Sequence, residues 1–120
     1  SYILVDKEGN ILMEAATSSL PILVVNHDLE KTGYKISSED LFSLNLIGGV
    51  FEMYQKNSGE IREGSLVVEL PGPINVIFPI GEGDKDLLLG SLRLIYSKIQ
   101  EEGLTNYHEI DLRFRNPVLR

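Results

Sequence analysis

The chain has 120 residues, of which 42% are hydrophobic, and it carries a net charge of −7 and no cysteine. This length suits a single domain with a core of its own, and the absence of cysteine excludes a disulfide framework. The acidic balance argues against nucleic acid or an anionic membrane surface as the partner, because both attract Lys and Arg.

The first part of the chain has the pattern of three short β-strands. Apolar runs at Tyr2 to Val5 and Ile11 to Met13 flank a charged segment. Gly9 in that segment suits a tight reversal, so the two runs predict a hairpin. A third run, Leu20 to Val25, contains a proline and is expected to begin a strand or lie at a sheet edge. Because the chain starts directly in an apolar run, we expect a domain that belongs to a longer protein.

A helix is predicted to begin after the polar loop that follows. Ser37 and Ser38 offer hydroxyls that can cap free N–H groups, and the next two residues are carboxylates, which the positive end of a helix favours. Gly48 and Gly49 inside the helix predict close packing against the sheet. Apolar residues at three- and four-residue spacing predict its buried face: Leu44, Ile47, Phe51 and Tyr54.

Two further strands and a second helix are predicted next. Ser65 to Leu70 and Ile74 to Ile80 flank a Pro-Gly-Pro turn, and their apolar pattern predicts an antiparallel pair. Pro79 indicates that the far end of this pair lies at a sheet edge. Asp84 is expected to cap the second helix and Gly103 to end it. The buried face of that helix is predicted to comprise Leu88, Leu92, Ile95 and Ile99.

After a loop at residues 104 to 106, the alternation from His108 to Arg115 predicts a final strand. In a half-buried strand, apolar residues face the core and charged residues face water. The predicted core residues are Ile110, Leu112 and Phe114, and those facing water are Glu109, Asp111, Arg113 and Arg115. The predicted order is β-β-β-α-β-β-α-β in one domain over residues 1–120. This is an α+β fold with a largely antiparallel sheet covered by two helices.

The sequence offers little for catalysis or for metal binding. His27 and His108 each lack ligands at metal spacing, so both are expected to be exposed. Gly81 to Asp86 could hold a phosphate, but three carboxylates surround its one lysine, which favours a solvated turn and helix cap. The segment also lacks the twelve-residue loop of a calcium site. We therefore expect neither an enzyme nor a cofactor.

The segment Glu109 to Asn116, "EIDLRFRN", resembles the Asp-Leu-Arg-aromatic strand near the C-terminus of the FtsQ/DivIB family of bacterial cell-division proteins. Three other segments are similar to family elements and occur in the same order: "YILVDKEGNIL", "LPIL" and "DLLLGSLRLIYSKI". The resemblance implies the extracytoplasmic β domain of such a protein. A membrane helix and a POTRA domain would then lie upstream of Ser1.

The resemblance also implies a non-enzymatic scaffold at the division septum. Such proteins join FtsB and FtsL, which are bitopic coiled-coil proteins, and help regulate septal peptidoglycan synthesis. Their terminal strands accept a strand from FtsB. The implied location is the cell membrane, with this domain outside the cytoplasm and monomeric by itself. The expected partner-binding residues are Arg113, Phe114, Arg115, Val118, Leu119 and Arg120.

Two features of the C-terminal segment refine this expectation. Three arginines and no acid follow Leu112, which gives an acidic chain a basic end that can meet a partner's carboxylates. The resemblance implies that Asp111 is structural and that Leu112 lies in the core. The chain departs from the family pattern at Phe114, where tyrosine is more usual, and at Pro117, which cannot donate to a further ladder.

Two alternatives of other classes remain open. An extracytoplasmic module that binds a small ligand would have its pocket near residues 81–86, between that turn and the helix that starts at Ser38. A hydrolase would use a pair of carboxylates, but none of the 18 acidic residues stands out as such a pair.

Overall fold

The computed structural model describes residues 1–103 and 106–120, and it confirms the α+β class. Residues 104 and 105, in the predicted loop, lie outside these ranges. Neither helix in the described ranges combines the length and apolar character that a membrane crossing requires. The helices are Ser38–Tyr54 (α1) and Lys85–Glu102 (α2). The strands are Tyr2–Val5 (β1), Ile11–Ala15 (β2), Ile22–Val24 (β3), Ser58–Arg62 (β4), Ser65–Leu70 (β5), Ile74–Phe78 (β6), Glu109–Asp111 (β7) and Val118–Leu119 (β8).

The strands form two separate sheets. β1 and β2 make the predicted antiparallel hairpin, and the other six strands form one sheet in the order β3-β4-β5-β6-β7-β8. Within this sheet, β3 with β4 and β6 with β7 are parallel, and the other pairs are antiparallel. Parallel neighbours need a crossover connection. Each helix supplies one, because α1 joins β3 to β4 and α2 joins β6 to β7.

Both predicted helix starts are confirmed by their capping bonds. The Ser37 hydroxyl accepts a hydrogen bond from the N–H of Asp40 at 3.1 Å. The Asp84 carboxylate accepts from the N–H groups of Asp86 and Leu87 at 3.0 and 3.2 Å. Gly103 ends α2 in the left-handed conformation with a φ of 63°, as predicted. The sequence predicted these helix ends correctly because a cap depends only on residues that are close in the chain.

The predicted buried face of α1 is only partly right. Ile47 is fully buried, but Leu44, Phe51 and Tyr54 are half-buried. The helix is apolar around most of its circumference, so spacing alone did not fix which stripe meets the sheet. The residues that α1 buries completely are Ser43, Leu46, Ile47 and Val50.

The glycine pair in α1 does not pack as predicted. A Cβ atom on Gly49 would clash with the side chain of Leu89, so this glycine allows α2, rather than the sheet, to approach α1. A Cβ atom on Gly48 would have nothing within 4 Å. The prediction of close helix–sheet packing at this pair was therefore wrong about the element that Gly49 contacts.

Two strands and one sheet position were not predicted correctly. β4 and β8 were missed, so the observed order is β-β-β-α-β-β-β-α-β-β. The prediction of a sheet edge near Pro79 was wrong, because β6 lies between β5 and β7. β6 ends at Phe78, so the proline follows the strand and removes no ladder bond.

The core lies between the six-stranded sheet and the two helices. β6 presents Ile74, Val76 and Phe78 to it, in the predicted alternation. In α2, Leu92 and Ile99 are buried, while the other two predicted positions are half-buried. Tyr96 also enters the core, and its hydroxyl donates a hydrogen bond to the carbonyl of Pro71 at 2.8 Å. The fully buried apolar side chains are Leu46, Ile47, Val50, Leu66, Val76, Phe78, Leu92 and Ile110, each 0% exposed.

Candidate functional site at the C-terminal sheet edge

The C-terminal segment turns back on itself instead of forming one continuous strand. β7 ends at Asp111, and β8 returns antiparallel to it. The Asp111 carboxylate accepts a bond from the N–H of Arg113 at 3.1 Å, a local bond of the kind that favours turns. The predicted strand from His108 to Arg115 was therefore wrong beyond Asp111. β8 lies outside β7 and forms the edge of the sheet.

This turn changes which side chains face the core. Ile110 and Leu112 are buried, as predicted. Asp111 was predicted to face water but is fully buried, and Phe114 was predicted to face the core but is 55% exposed. The alternation fails because Phe114 lies beyond the end of β7, where the period of two no longer applies.

Two arginines neutralise the buried carboxylate of Asp111. Arg113 donates from Nε to Oδ1 at 2.9 Å and from Nη2 to Oδ2 at 2.6 Å, a two-pronged pairing. Arg120 donates from Nη1 to Oδ2 of Asp111 at 2.8 Å and to Oε2 of Glu109 at 2.6 Å. Arg113 Nη1 also reaches Ser65 Oγ at 3.3 Å. We call these five residues the Asp111 cluster.

The electrostatics of the Asp111 cluster keep its main groups charged. The Arg113 hydrogen bonds hold the pKa of the Asp111 carboxyl well below its ordinary value, and the Arg120 bond adds to this effect while burial opposes it. The same bonds to Asp111 raise the pKa of Arg113 and of Arg120. The Asp111 cluster therefore places a carboxylate between two guanidinium groups and joins β7, β8 and β5.

The structure brings some of the predicted partner-binding residues together and separates others. Arg113 and Arg120 meet on Asp111, so two of the three arginines in the predicted basic end are engaged within the chain. The Arg113 guanidinium lies 5.6 Å from the centre of the Phe114 ring. Arg115 is exposed and forms no ion pair within residues 1–103 and 106–120. Val118 and Leu119 are half-buried in the edge strand.

The backbone of β8 presents polar groups to solvent. Arg120 and Glu109 exchange both N–H to C=O hydrogen bonds, each at 3.0 Å. Because bonded and non-bonded pairs alternate in an antiparallel ladder, Leu119 occupies a non-bonded position opposite Ile110. The N–H and C=O of Leu119 therefore point away from β7. Pro117, just before β8, has no N–H to offer.

The other chemical candidates stay isolated. His27 and His108 are exposed, as predicted. His27 nevertheless has a partner that the sequence did not indicate, because its Nε2 lies 2.8 Å from Oδ2 of Asp40. The bond to the Asp28 carbonyl and the Asp40 carboxylate raise the pKa of His27. Within the described residues, no three His, Cys, Asp or Glu side chains come together as metal ligands would.

The alternative hypothesis of a small-ligand module places a pocket near residues 81–86, and the cleft in the structure includes only the end of that segment. A cleft of about 1200 Å³ is lined by β1, β3, α1 and the start of α2. Lys85 and Asp86 line it, but the preceding residues of the predicted turn do not. Gly81 lies instead against the side chain of Glu39, at the beginning of α1.

Ser65 and Glu109 are the members of the Asp111 cluster whose roles the sequence did not indicate. Ser65 is 48 positions from Arg113, so only the sheet order brings them together. Glu109 could have been suspected, because a carboxylate two residues before Asp111 shares its side of the strand. Comparison of the sequence with protein-family models and with curated proteins finds no match.

Proposed function

We propose that this domain is a non-enzymatic scaffold of the FtsQ/DivIB type that binds an FtsB-like partner by adding the partner's strand to β8. The observation that carries the proposal is the edge position of β8, with the N–H and C=O of Leu119 directed outward. Such groups are a template for another strand. The sequence resemblance to that family supplies the class of partner.

The Asp111 cluster supports the proposal because it holds the docking edge in place. β8 has two residues, Val118 and Leu119, which is too short to be stable by its own ladder bonds. Arg120 follows directly and connects the strand to the carboxylates of Asp111 and Glu109. A partner strand would therefore meet an edge that is already ordered, which lowers the entropy lost on binding.

Two exposed side chains next to this edge would give selectivity. Phe114 offers an aromatic surface, and Arg115 offers a guanidinium without a carboxylate partner in the described ranges. Arg115 is thus a better candidate for contact with a partner's acid than Arg113 or Arg120, whose guanidinium groups already bind Asp111. The partner segment that fits is extended and carries an acidic residue.

The resemblance to the FtsQ/DivIB family also supplies the proposed partners, function and location of the domain. The partners are FtsB/FtsL-like bitopic coiled-coil proteins, and the function is to help regulate septal peptidoglycan synthesis. The domain would act outside the cytoplasm, at the division septum, as part of a protein anchored in the cell membrane.

The test removes one outward-facing donor. Leu119→Pro deletes the N–H that would bond the added strand and leaves the bonds between β7 and β8 in place. Leu119→Ala is the matched control, because it shortens the same side chain and keeps the N–H. We expect Leu119→Pro to weaken binding of the FtsB-like extracytoplasmic segment at least tenfold relative to Leu119→Ala in a calorimetric titration.

A second variant tests side-chain recognition. Arg115→Glu should weaken the same complex, whereas Arg62→Glu, an exposed change on β4, should not. Circular dichroism establishes that each variant is folded. Equal affinity of the Leu119→Pro and Leu119→Ala proteins would overturn strand addition at β8.

A further inference from the structure

The loop between β3 and α1 connects the β1–β2 hairpin to the rest of the molecule. The hairpin has no ladder to the six-stranded sheet. Within the described ranges, its backbone hydrogen bonds to other elements all go to this loop. The N–H of Ile11 donates to the carbonyl of Tyr34 at 2.8 Å, and the N–H of Ile36 donates to the carbonyl of Gly9 at 2.9 Å. A contact that fixes the loop therefore also fixes the hairpin.

The same loop lies beside the hairpin and near the first turn of α1. A small cavity is lined by Tyr2 on the hairpin and by Leu29 on the loop, so the two segments run close together. The reversal of the hairpin also reaches the helix, because a Cβ atom added to Gly9 would lie 3.5 Å from the side chain of Leu41. The hairpin, the loop and the helix thus meet at the first turn of α1.

His27 joins the beginning of the loop to that turn. Its Nδ1 lies 2.8 Å from the carbonyl oxygen of Asp28, and its Nε2 lies 2.8 Å from Oδ2 of Asp40 in α1. A carbonyl oxygen and a carboxylate oxygen only accept hydrogen bonds, so both ring nitrogen atoms must donate. A neutral imidazole has a single N–H, whereas an imidazolium ion has two. The observed geometry is therefore that of a protonated histidine.

We propose that His27 is a pH-sensitive switch, whose protonated ring holds the loop and the attached hairpin against α1. When the ring loses its proton, one nitrogen atom faces an oxygen atom with no proton between them, so one of the two contacts is lost. The side chain is 49% exposed, so its proton can exchange with solvent. His27, Asp40 and the residues of β1 line the cleft of about 1200 Å³, so the switch acts on one wall of that cleft.

The charges around His27 favour its protonated form. Asp28 and Asp40 are the acids beside it, and both attract the positive charge of the ring. The other charged side chains that line the same cleft come from the hairpin, α1 and α2. Three are acidic and three are basic, so they balance one another: Asp6, Glu52 and Asp86, and Lys7, Lys85 and Arg93. The two adjacent acids therefore determine the preference.

The direction of the pH dependence follows from these contacts. The bond to the Asp28 carbonyl and the bond to Asp40 raise the pKa of His27 above its ordinary value of 6.5. A raised pKa means that the stabilisation is fully present below the ordinary value and is lost as the pH rises through the folded value. The hairpin should therefore be held more firmly in mildly acidic solution than in mildly alkaline solution.

Hydrogen exchange of the whole chain, followed by NMR at pH 5.5 and 8.5, tests the switch. The reporters are the amides of Ile11 and Ile36, which form the bonds between hairpin and loop. Protection factors remove the effect of pH on the chemical exchange rate itself. We expect these factors to be higher at pH 5.5 by about threefold or more. The amide of Val68, in the central strand β5, should show no comparable difference.

Two pairs of variants assign the effect to His27 and Asp40. His27→Gln cannot titrate and should abolish the difference, whereas His108→Gln, an exposed change outside the loop, should preserve it. Asp40→Asn should lower the midpoint of the His27 ring titration in NMR spectra, because it removes the carboxylate. Glu39→Gln, which removes a charge from the same turn of α1, should lower that midpoint less. Circular dichroism shows whether each variant is folded, and His27→Gln is decisive if Asp40→Asn is not.

Three results would overturn the proposal. The first is equal protection of Ile11 and Ile36 at the two pH values. The second is a pH difference that persists in His27→Gln, and the third is the same His27 midpoint in the native chain and in Asp40→Asn. Strand addition at β8 is tested separately, because these variants lie outside β7, β8 and the Asp111 cluster.

Discussion

The buried carboxylate of Asp111 is the residue on which the C-terminal edge depends. It is 0% exposed and binds two guanidinium groups, that of Arg113 in the turn between β7 and β8 and that of Arg120 directly after β8. A carboxylate buried in this way is stable only if it is paired and hydrogen-bonded. The alternating pattern predicted a water-facing aspartate, because pattern alone cannot reveal that two later arginines return to the same side chain.

Replacing Asp111 should destabilise the domain. Asp111→Asn removes the charge and leaves Arg113 and Arg120 without their shared partner. Both arginines are partly exposed and can regain water, so we expect a loss of about 2–3 kcal/mol in the free energy of unfolding, as for hydrogen bonds to charged groups. Urea unfolding measures it. Glu60→Gln, which breaks an exposed pair with Arg62, should change it by about 1 kcal/mol or less.

The same carboxylate should make stability depend on pH in the acid range. The folded state lowers the pKa of Asp111 from its ordinary value of 3.8, chiefly through Arg113. A lowered pKa means that the stabilisation is fully present above the ordinary value and is lost as the pH falls towards the folded value. We expect urea unfolding at pH 5, 4 and 3 to show a steeper loss for the native chain than for Asp111→Asn. Parallel curves would contradict this.

At the scale of elements, β4 shows why the sequence can fail to predict a strand. Its sequence, "SGEIR", has one large apolar residue, so it lacks a recognisable alternation. Gly59 nevertheless belongs there, because an added Cβ atom would lie 3.0 Å from side-chain atoms of Ile47, Leu66 and Val68. The glycine lets α1 and β5 approach β4 closely, and that requirement becomes visible only once the elements are packed.

Gly59→Ala should therefore destabilise the fold, although it adds only one methyl group. Three core side chains would have to move together, so we expect a loss of about 1–3 kcal/mol in the free energy of unfolding. Gly48→Ala is the control in α1, where the new methyl group meets nothing. That change should stabilise the protein by up to about 1 kcal/mol through helix propensity. In thermal unfolding, the melting temperature should fall for Gly59→Ala and rise for Gly48→Ala.

At the scale of the whole molecule, the sequence predicted the fold class but not the arrangement of the sheets. Caps, glycine stops and the alternation in β6 depend on nearby residues, and these predictions were correct. The order β3-β4-β5-β6-β7-β8, the return of β8 and the separate hairpin depend on pairings between distant segments. The resemblance to a family was enough to propose that the C-terminal segment binds a partner. The Asp111 cluster could not be predicted, because the sheet order brings Ser65 and Arg113 together.

The separation of the two sheets predicts two levels of stability within one chain. A two-stranded hairpin is marginal by itself, and β1–β2 is tied to the segment around Tyr34 by a few backbone bonds. Amides of β1 and β2 should therefore exchange with solvent faster than those of β5 and β6, which are paired on both sides. Native-state hydrogen exchange in low urea measures this difference.

The two edge strands β8 and β1 can be compared for their rates of amide exchange. If edge position alone set the exchange rate, β8 would exchange as fast as β1, because both border open space. The ion pairs of Arg120 to Asp111 and Glu109 should instead slow exchange at the Arg120 amide, which bonds to the carbonyl of Glu109. Asp111→Asn should remove that protection and leave β1 unchanged. Equal exchange of the Arg120 amide in both proteins would mean that the ladder alone, and not the Asp111 cluster, holds β8 in place.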